Sequence, residues 1–236
     1  MKLSNQLALG RDAAVRLPID NRVHSNAANT RVTRNKISLD FLQRLSIFLL
    51  ALALLTLAGA ARVQAEPPLA NAVVLIVRHG EKPADGPELA PAGQERARQY
   101  VGYFEHFTVD GKPVHIDYLI ATADSKHSFR ERLTLTPLSQ ATHIPIDTRF
   151  KNKDVDDLAS ALSTEKTGKV ILICWHHEKI ADMLTALGVD PSTVIPGGKW
   201  PGSVFNWVIE LRYDANGHLI PQDTKRVVEH LMPGDK

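Results

Sequence analysis

The chain has 236 residues, enough for one well-packed core and too few for two ordinary domains with linkers. Its composition, 44% hydrophobic and 23% charged, is that of a globular protein and excludes a fibrous or low-complexity chain. Cys174 is the only cysteine, so an intramolecular disulfide is excluded and stability must come from the core.

The net charge of +2 is unevenly distributed along the chain. Nine of the 28 basic residues but only three of the 26 acidic ones lie in residues 1–65, which leaves residues 66–236 with a net charge of −4. A basic excess confined to the amino-terminal segment gives no reason to expect nucleic acid as a partner of the folded part.

An uncharged apolar run, SIFLLALALLTLAGAA, occupies residues 46–61. It is typical of the hydrophobic region of a signal peptide, and Val63-Gln64-Ala65 follows as a small-residue cleavage site. We therefore expect export to the periplasm or the extracellular space, with residues 46–65 as the hydrophobic region and cleavage site, and with cleavage after Ala65, so that the mature chain begins at Glu66. A membrane anchor through residues 46–61 is the alternative, although a bilayer span needs about 20 residues.

Residues 1–45 are polar and irregular and are interpreted as a disordered basic leader, and residues 66–236 as one folded domain. In that domain, short apolar runs alternate with segments of helical spacing. Strands are predicted at 72–77, 117–121 and 169–175, helices at 94–107, 128–140, 155–162 and 178–187, and a terminal antiparallel pair at 203–213 and 224–231, joined through the turn sequence at 214–217. This order predicts an α/β fold in which helices cover both faces of a mostly parallel sheet.

Two histidine signals directly follow predicted strands. Arg78-His79-Gly80 follows the first strand, and His176-His177 follows the strand at 169–175. Ligands bind at the carboxyl ends of parallel strands, so we expect both signals on one functional edge of the sheet. A histidine with one free nitrogen can act as a nucleophile, and a neighbouring guanidinium binds phosphoryl oxygens through its fork of donors.

A third signal opens the predicted helix at 128–140, where Ser128, Arg130 and Thr134 form an S-x-R-x-x-x-T pattern. Together with Arg78-His79-Gly80, the L-x-x-x-G pattern of residues 89–93 and the later histidine pair, it resembles the histidine phosphatase superfamily, the phosphoglycerate mutase-like proteins. The resemblance covers roughly residues 70–212 and consists of four motifs in the same order.

The resemblance implies a three-layer αβα sandwich of the phosphoglycerate mutase type and hydrolysis of phosphomonoesters through a phosphohistidine on His79. It implies that Arg78, Arg130 and a second histidine bind the phosphate, with a small phosphorylated substrate as partner and with neither a cofactor nor a metal. The sequence carries no H-E-x-x-H motif and no cysteine ligand set, which disfavours a metal hydrolase. A catalytically weak phosphate-binding module of the same fold is the alternative function. No feature predicts the oligomeric state.

Several assignments stay open at this point. Strand alternation predicts that only one of His176 and His177 faces the phosphate. Glu81 is the preferred donor of a proton to the leaving oxygen, and Glu178 is the second candidate.

Arg130 is preferred to Arg132 as the phosphate ligand, because its spacing to Thr134 matches the family pattern. Lys82, His127 and Ser128 are candidate substrate contacts, since they flank the two arginine motifs.

Overall fold

The computed structural model describes residues 38–58, 69–165 and 168–235. The chain divides into two compact units, Met1–Arg62 and Val63–Lys236. The described part of the first unit is helix α1 (Leu39–Ala58), which contains most of the predicted apolar run. Among the described helices, none has both the length and the apolar character that a membrane span requires. The predicted cleavage site and residues 1–37 of the predicted leader lie outside the described residues.

The second unit is built on a central sheet of six strands. These are β1 (Val73–Arg78), β4 (Tyr118–Ala121), β5 (Ile146–Asp147), β6 (Val170–Trp175), β7 (Trp207–Arg212) and β8 (Lys225–Val228). They lie in the order β5-β4-β6-β1-β7-β8. The first four run parallel to one another, β7 pairs antiparallel with β1, and β8 pairs antiparallel with β7. A separate ribbon pairs β2 (Thr108–Val109) with β3 (Lys112–Pro113).

Helices cover both faces of the sheet, as predicted. They are α2 (Pro91–Glu105), α3 (Arg130–Thr142), α4 (Val155–Glu165) and α5 (His177–Ala186). Alternate residues of β1 point to opposite faces: Leu75 packs in one buried cluster with residues of α2 and α3, and Ile76 packs in another with residues of α4 and α5. The α/β class and the three-layer architecture with a mostly parallel sheet are therefore confirmed.

The terminal strands differ in detail from the prediction. β7 and β8 pair antiparallel as expected, but residues 203–206 precede β7 without strand structure, and residues 213–224 form a connection longer than a tight hairpin. The irregular stretch before β7 has a physical reason, because the carbonyl groups of Pro201, Gly202 and Val204 accept hydrogen bonds from the Arg78 side chain instead of joining the sheet.

The register of β1 and β6 positions the histidine signals. Arg78 pairs with Trp175 at the ends of these two parallel neighbours. His79 and His176 are the next residues along each chain segment, so they emerge side by side at the carboxyl edge of the sheet, as the sequence predicts.

Two glycines allow the loop after β1 to lie against the start of α2. A Cβ atom on Gly80 would lie 2.9 Å from the carbonyl oxygen of Gly93, and a Cβ atom on Gly93 would lie 2.4 Å from the carbonyl oxygen of Glu81. Only hydrogen side chains permit this approach of two backbones. The L-x-x-x-G pattern therefore has a steric cause.

Replacement of Gly93 by alanine should destabilise the fold by roughly 1–3 kcal/mol, because the methyl group must displace backbone atoms of the loop. Gly102→Ala is a matched control in the same helix: its Cβ would meet no atom within 4 Å. That change should stabilise the protein by roughly 0.5–1 kcal/mol through helix propensity. Urea denaturation measures both changes, and a Gly93→Ala protein as stable as Gly102→Ala would contradict the packing argument.

Candidate active site

The imidazole of His79 is held in one tautomer. Its Nδ1 atom lies 2.7 Å from the carbonyl oxygen of Gly80, and a carbonyl oxygen can only accept. Nδ1 therefore carries the proton, and Nε2 keeps its lone pair. Burial, with a smaller contribution from the positive charges of Arg78 and Arg130, lowers the pKa of His79 to about 3. His79 is thus a buried, neutral base with one free nitrogen.

The backbone that carries His79 is tied to the start of α3. The amide of Gly80 donates to Oγ1 of Thr134 at 2.9 Å, and that hydroxyl donates to the carbonyl oxygen of Arg130 at 2.7 Å. Thr134 accepts from the loop and donates to its own helix, so it fixes the distance between the two arginine motifs.

Arg78 uses one edge of its guanidinium to hold the loop before β7. Nη1 donates to the carbonyl oxygens of Pro201, Gly202 and Val204 at 2.8–3.2 Å, and Cζ lies 3.8 Å from the centre of the Phe205 ring. Burial lowers the pKa of Arg78 to about 10, which leaves it charged at neutral pH. Its Nε–H is buried and has no hydrogen-bond partner among the described residues.

Arg130 is arranged in the same way. Nη1 donates to the carbonyl oxygen of Gly86 at 3.0 Å and Nη2 to that of His127 at 3.2 Å, and its buried Nε–H also lacks a partner among the described residues. Unpaired buried donors are costly, so this pocket favours a ligand with several acceptor oxygens and negative charge. Arg132 differs, since it is partly exposed and pairs with Asp124 at 2.7 Å.

Both members of the histidine pair contact His79. The ring centre of His79 lies 5.6 Å from that of His176 and 6.4 Å from that of His177, and the latter two rings stack at 5.0 Å. The expectation that only one of them faces the site is therefore corrected. Strand alternation no longer applies, because β6 ends at Trp175 and the chain turns into α5. Burial lowers the pKa of both, that of His177 to about 4.

The carboxylate of Glu81 is bound by Arg96, which is not the environment expected of a proton donor. Arg96 donates to both of its carboxylate oxygens, with Nη2 2.8 Å from Oε1, and the same guanidinium binds Glu229 and Asp235. The carboxylate of Glu81 is thus engaged in an ion-pair network that joins α2 to residues 229–235. Glu178, the second candidate, is 72% exposed and lies 3.9 Å from Nδ1 of His176.

Glu131 is a carboxylate that the sequence reasoning did not select. It is only 3% exposed, Ser128 Oγ donates to its Oε2 at 2.7 Å, and its buried Oε1 has no partner among the described residues. The sequence did contain a signal, because Ser128-x-x-Glu131 matches a helix capping box. Ser128 Oγ does accept from a backbone amide, that of Arg130 at 3.3 Å, but Glu131 accepts from the Ser128 hydroxyl instead of from an amide.

A cavity of about 550 Å³ opens beside these groups and is lined by Arg130, Glu131 and His176. His127 and Ser128, two of the predicted substrate contacts, also line it, and Lys151 and Lys153 line it from the loop before α4. Lys82 is exposed, and its charge lowers the pKa of His177. The arrangement can bind an anion, present a neutral nucleophile to it and offer a carboxyl group nearby.

No family model matches the chain, and no curated protein matches it. Solved structures do. The structural neighbours include phosphoglycerate mutases, protein histidine phosphatases and a glucosyl-3-phosphoglycerate phosphatase.

Phosphoglycerate mutase from Plasmodium falciparum is 15% identical over 71% of this chain and 97% of its own, with a TM-score of 0.44. The protein histidine phosphatase SixA, complexed with tungstate, is 17% identical over 66% of this chain and 96% of its own, with a TM-score of 0.43. Mycobacterial glucosyl-3-phosphoglycerate phosphatase is 13% identical over 66% and 97%, with a TM-score of 0.41.

Proposed function

We propose that this protein is a phosphomonoester hydrolase that transfers a phosphoryl group first to Nε2 of His79 and then to water, without a metal. The observation that carries the proposal is the pairing of a neutral nucleophile with unused cationic donors. His79 keeps a free Nε2, and the buried Nε–H groups of Arg78 and Arg130 lack partners among the described residues. A phosphate ester supplies both the electrophile and the missing acceptors.

In the first step, the lone pair of His79 Nε2 attacks phosphorus and the ester P–O bond breaks. Arg78 and Arg130 hold the non-bridging oxygens, and one imidazole of the pair His176 and His177 donates to them as well. Preorganised donors of this kind stabilise the charge of the phosphoryl group in flight and need no rearrangement during the reaction.

The leaving oxygen requires a proton unless it is intrinsically stable, and we assign the donor to Glu131. Glu131 lines the cavity next to Arg130 and His176, and its buried Oε1 has no partner among the described residues, whereas both oxygens of Glu81 are bound by Arg96. In the second step, a water molecule gives its proton to Glu131 and attacks the phosphohistidine. The P–N bond breaks, and inorganic phosphate leaves with the site restored.

Arg130→Ala should reduce kcat/KM for a phosphomonoester by roughly 10²–10³, the usual cost of one preorganised donor to a transferring group. Arg132→Ala is the matched control on the same helix, and its exposed pair with Asp124 should contribute about 0–1 kcal/mol to stability and nothing to the rate. Steady-state kinetics on folded variants, checked by circular dichroism, tests this. A larger loss of kcat/KM in Arg132→Ala than in Arg130→Ala would show that Arg132, and not Arg130, binds the phosphate.

Glu131→Gln should slow alkyl phosphates by roughly 10²–10⁴ and aryl phosphates far less, because only the alkoxide leaving group depends on general acid catalysis. Glu81→Gln should affect both ester classes alike and should lower the stability instead, since it weakens the pair with Arg96.

The comparison uses one alkyl and one aryl ester with each variant. Selective loss of alkyl ester turnover in Glu81→Gln, rather than in Glu131→Gln, would return the proton donor to Glu81. A wild-type protein that binds phosphate but hydrolyses neither ester would be a phosphate-binding module.

A further inference from the structure

The phosphate pocket holds one more histidine than the proposed reaction needs. His79 supplies the nucleophile and one partner imidazole suffices as a donor to phosphate, yet His176 and His177 both contact His79. One potential ligand nitrogen from each of the three residues lies within 4.8 Å of the other two. Three convergent imidazoles form a donor set suited to Zn²⁺ and related transition metals, which accept a tetrahedral arrangement with an open fourth position.

We propose that these three histidines bind a divalent transition metal ion, and that the bound ion inhibits the enzyme by occupying the lone pair of His79 Nε2. Attack on phosphorus needs that same lone pair, so metal binding and phosphorylation of His79 exclude each other. The metal-binding site is inferred from the geometry alone, whereas the inhibition rests on the function proposed above.

The surroundings of His79 already match those of a metal ligand. A ligating histidine commonly donates its other ring N–H to a backbone carbonyl or carboxylate, which fixes the ring and raises its basicity. The hydrogen bond from His79 Nδ1 to Gly80 is such a contact. Nδ1 of His176 lies 3.9 Å from a carboxylate oxygen of Glu178, and a small rotation would form a second hydrogen bond of this kind.

The two remaining ligands can adjust to the ion. Zinc–imidazole bonds of about 2.0–2.1 Å require the three nitrogens to approach each other more closely than in this structure. Nδ1 of His176 and of His177 makes no hydrogen bond among the described residues, so their rings can turn without breaking one. His79, fixed by Gly80, acts as the reference point of the site.

The neighbouring arginines repel a cation, so the affinity for a metal ion should depend on them in a distinctive way. Arg78 and Arg130 lie close enough to lower the pKa of His79, and they should also weaken metal binding. Removal of Arg130 should therefore tighten binding of the metal while it weakens binding of phosphate. An oxygen-ligand site for Mg²⁺ would not show this dependence on histidines, because Mg²⁺ prefers carboxylate, carbonyl and water oxygens.

The test titrates the purified, metal-free protein with Zn²⁺ against a chromophoric chelator and, in parallel, with Co²⁺, whose visible absorption reports tetrahedral coordination. We expect one equivalent to bind. His79→Ala, His176→Ala and His177→Ala should each weaken binding by about 100-fold or more, since even loss of an outer-shell partner costs about 10–100-fold. His218→Ala, at an exposed histidine outside the cluster, should bind as the wild type does. Arg130→Ala should bind the metal more tightly.

Phosphatase assays with the same samples connect the site to activity. One equivalent of Zn²⁺ should inhibit, a chelator should restore the rate, and Mg²⁺ should have no effect. Equal metal affinity in the wild type and the three histidine variants would overturn the site. Tight binding through the three histidines with an unchanged hydrolysis rate would overturn the inhibition. An inactive protein that still binds Zn²⁺ through these histidines would refute the proposed function and leave the metal site standing.

Discussion

The hydrogen bond from His79 Nδ1 to the carbonyl oxygen of Gly80 determines what this site can do. An imidazole without it could rotate, exchange tautomers and offer either nitrogen. With it, the proton stays on Nδ1, the ring plane is fixed and Nε2 is the single nucleophilic atom. Burial keeps the ring neutral, so the lone pair remains available at pH values well below the pKa of an ordinary histidine.

That hydrogen bond depends on the position of Gly80, which three separate motifs determine. β1 ends two residues before it, Gly93 lets α2 approach its backbone, and Thr134 accepts a hydrogen bond from its amide. The three short patterns seen in the sequence are therefore parts of one structural unit around a single glycine. Their order along the chain follows from the crossover connections of a parallel sheet, which bring the starts of α2 and α3 to the carboxyl edge of β1.

Features that depend on local pattern could be predicted from the sequence. The apolar runs that end at Val77 and at Trp175 predicted the two buried strands, and the ends of these strands predicted the shared edge where His79 and the histidine pair meet. Arg130 was preferred to Arg132 because its spacing to Thr134 matches the pattern of the family that the chain resembles, and the structure places the first in the buried pocket and the second in an exposed pair with Asp124.

Features that depend on distant partners could not be predicted. The engagement of Glu81 is determined by Arg96 and by carboxylates at positions 229 and 235, more than a hundred residues along the chain. The burial of Glu131 depends on how α3 sits over the sheet, which no local pattern encodes. His176 and His177 converge on His79 because the strand gives way to a helix between Trp175 and His177. An error of one residue in that boundary reverses the predicted direction of a side chain.

The most direct test of the account is to identify the phosphorylated atom. The protein is mixed with a phosphomonoester, quenched in base during turnover, digested and analysed by mass spectrometry and ³¹P nuclear magnetic resonance, which distinguish the two nitrogens of phosphohistidine. The account predicts a base-stable, acid-labile phosphoryl group on His79, attached to Nε2, because Gly80 holds Nδ1. A phosphoryl group on Nδ1 of His79, on His176 or on His177, or turnover without any phosphohistidine, would contradict it.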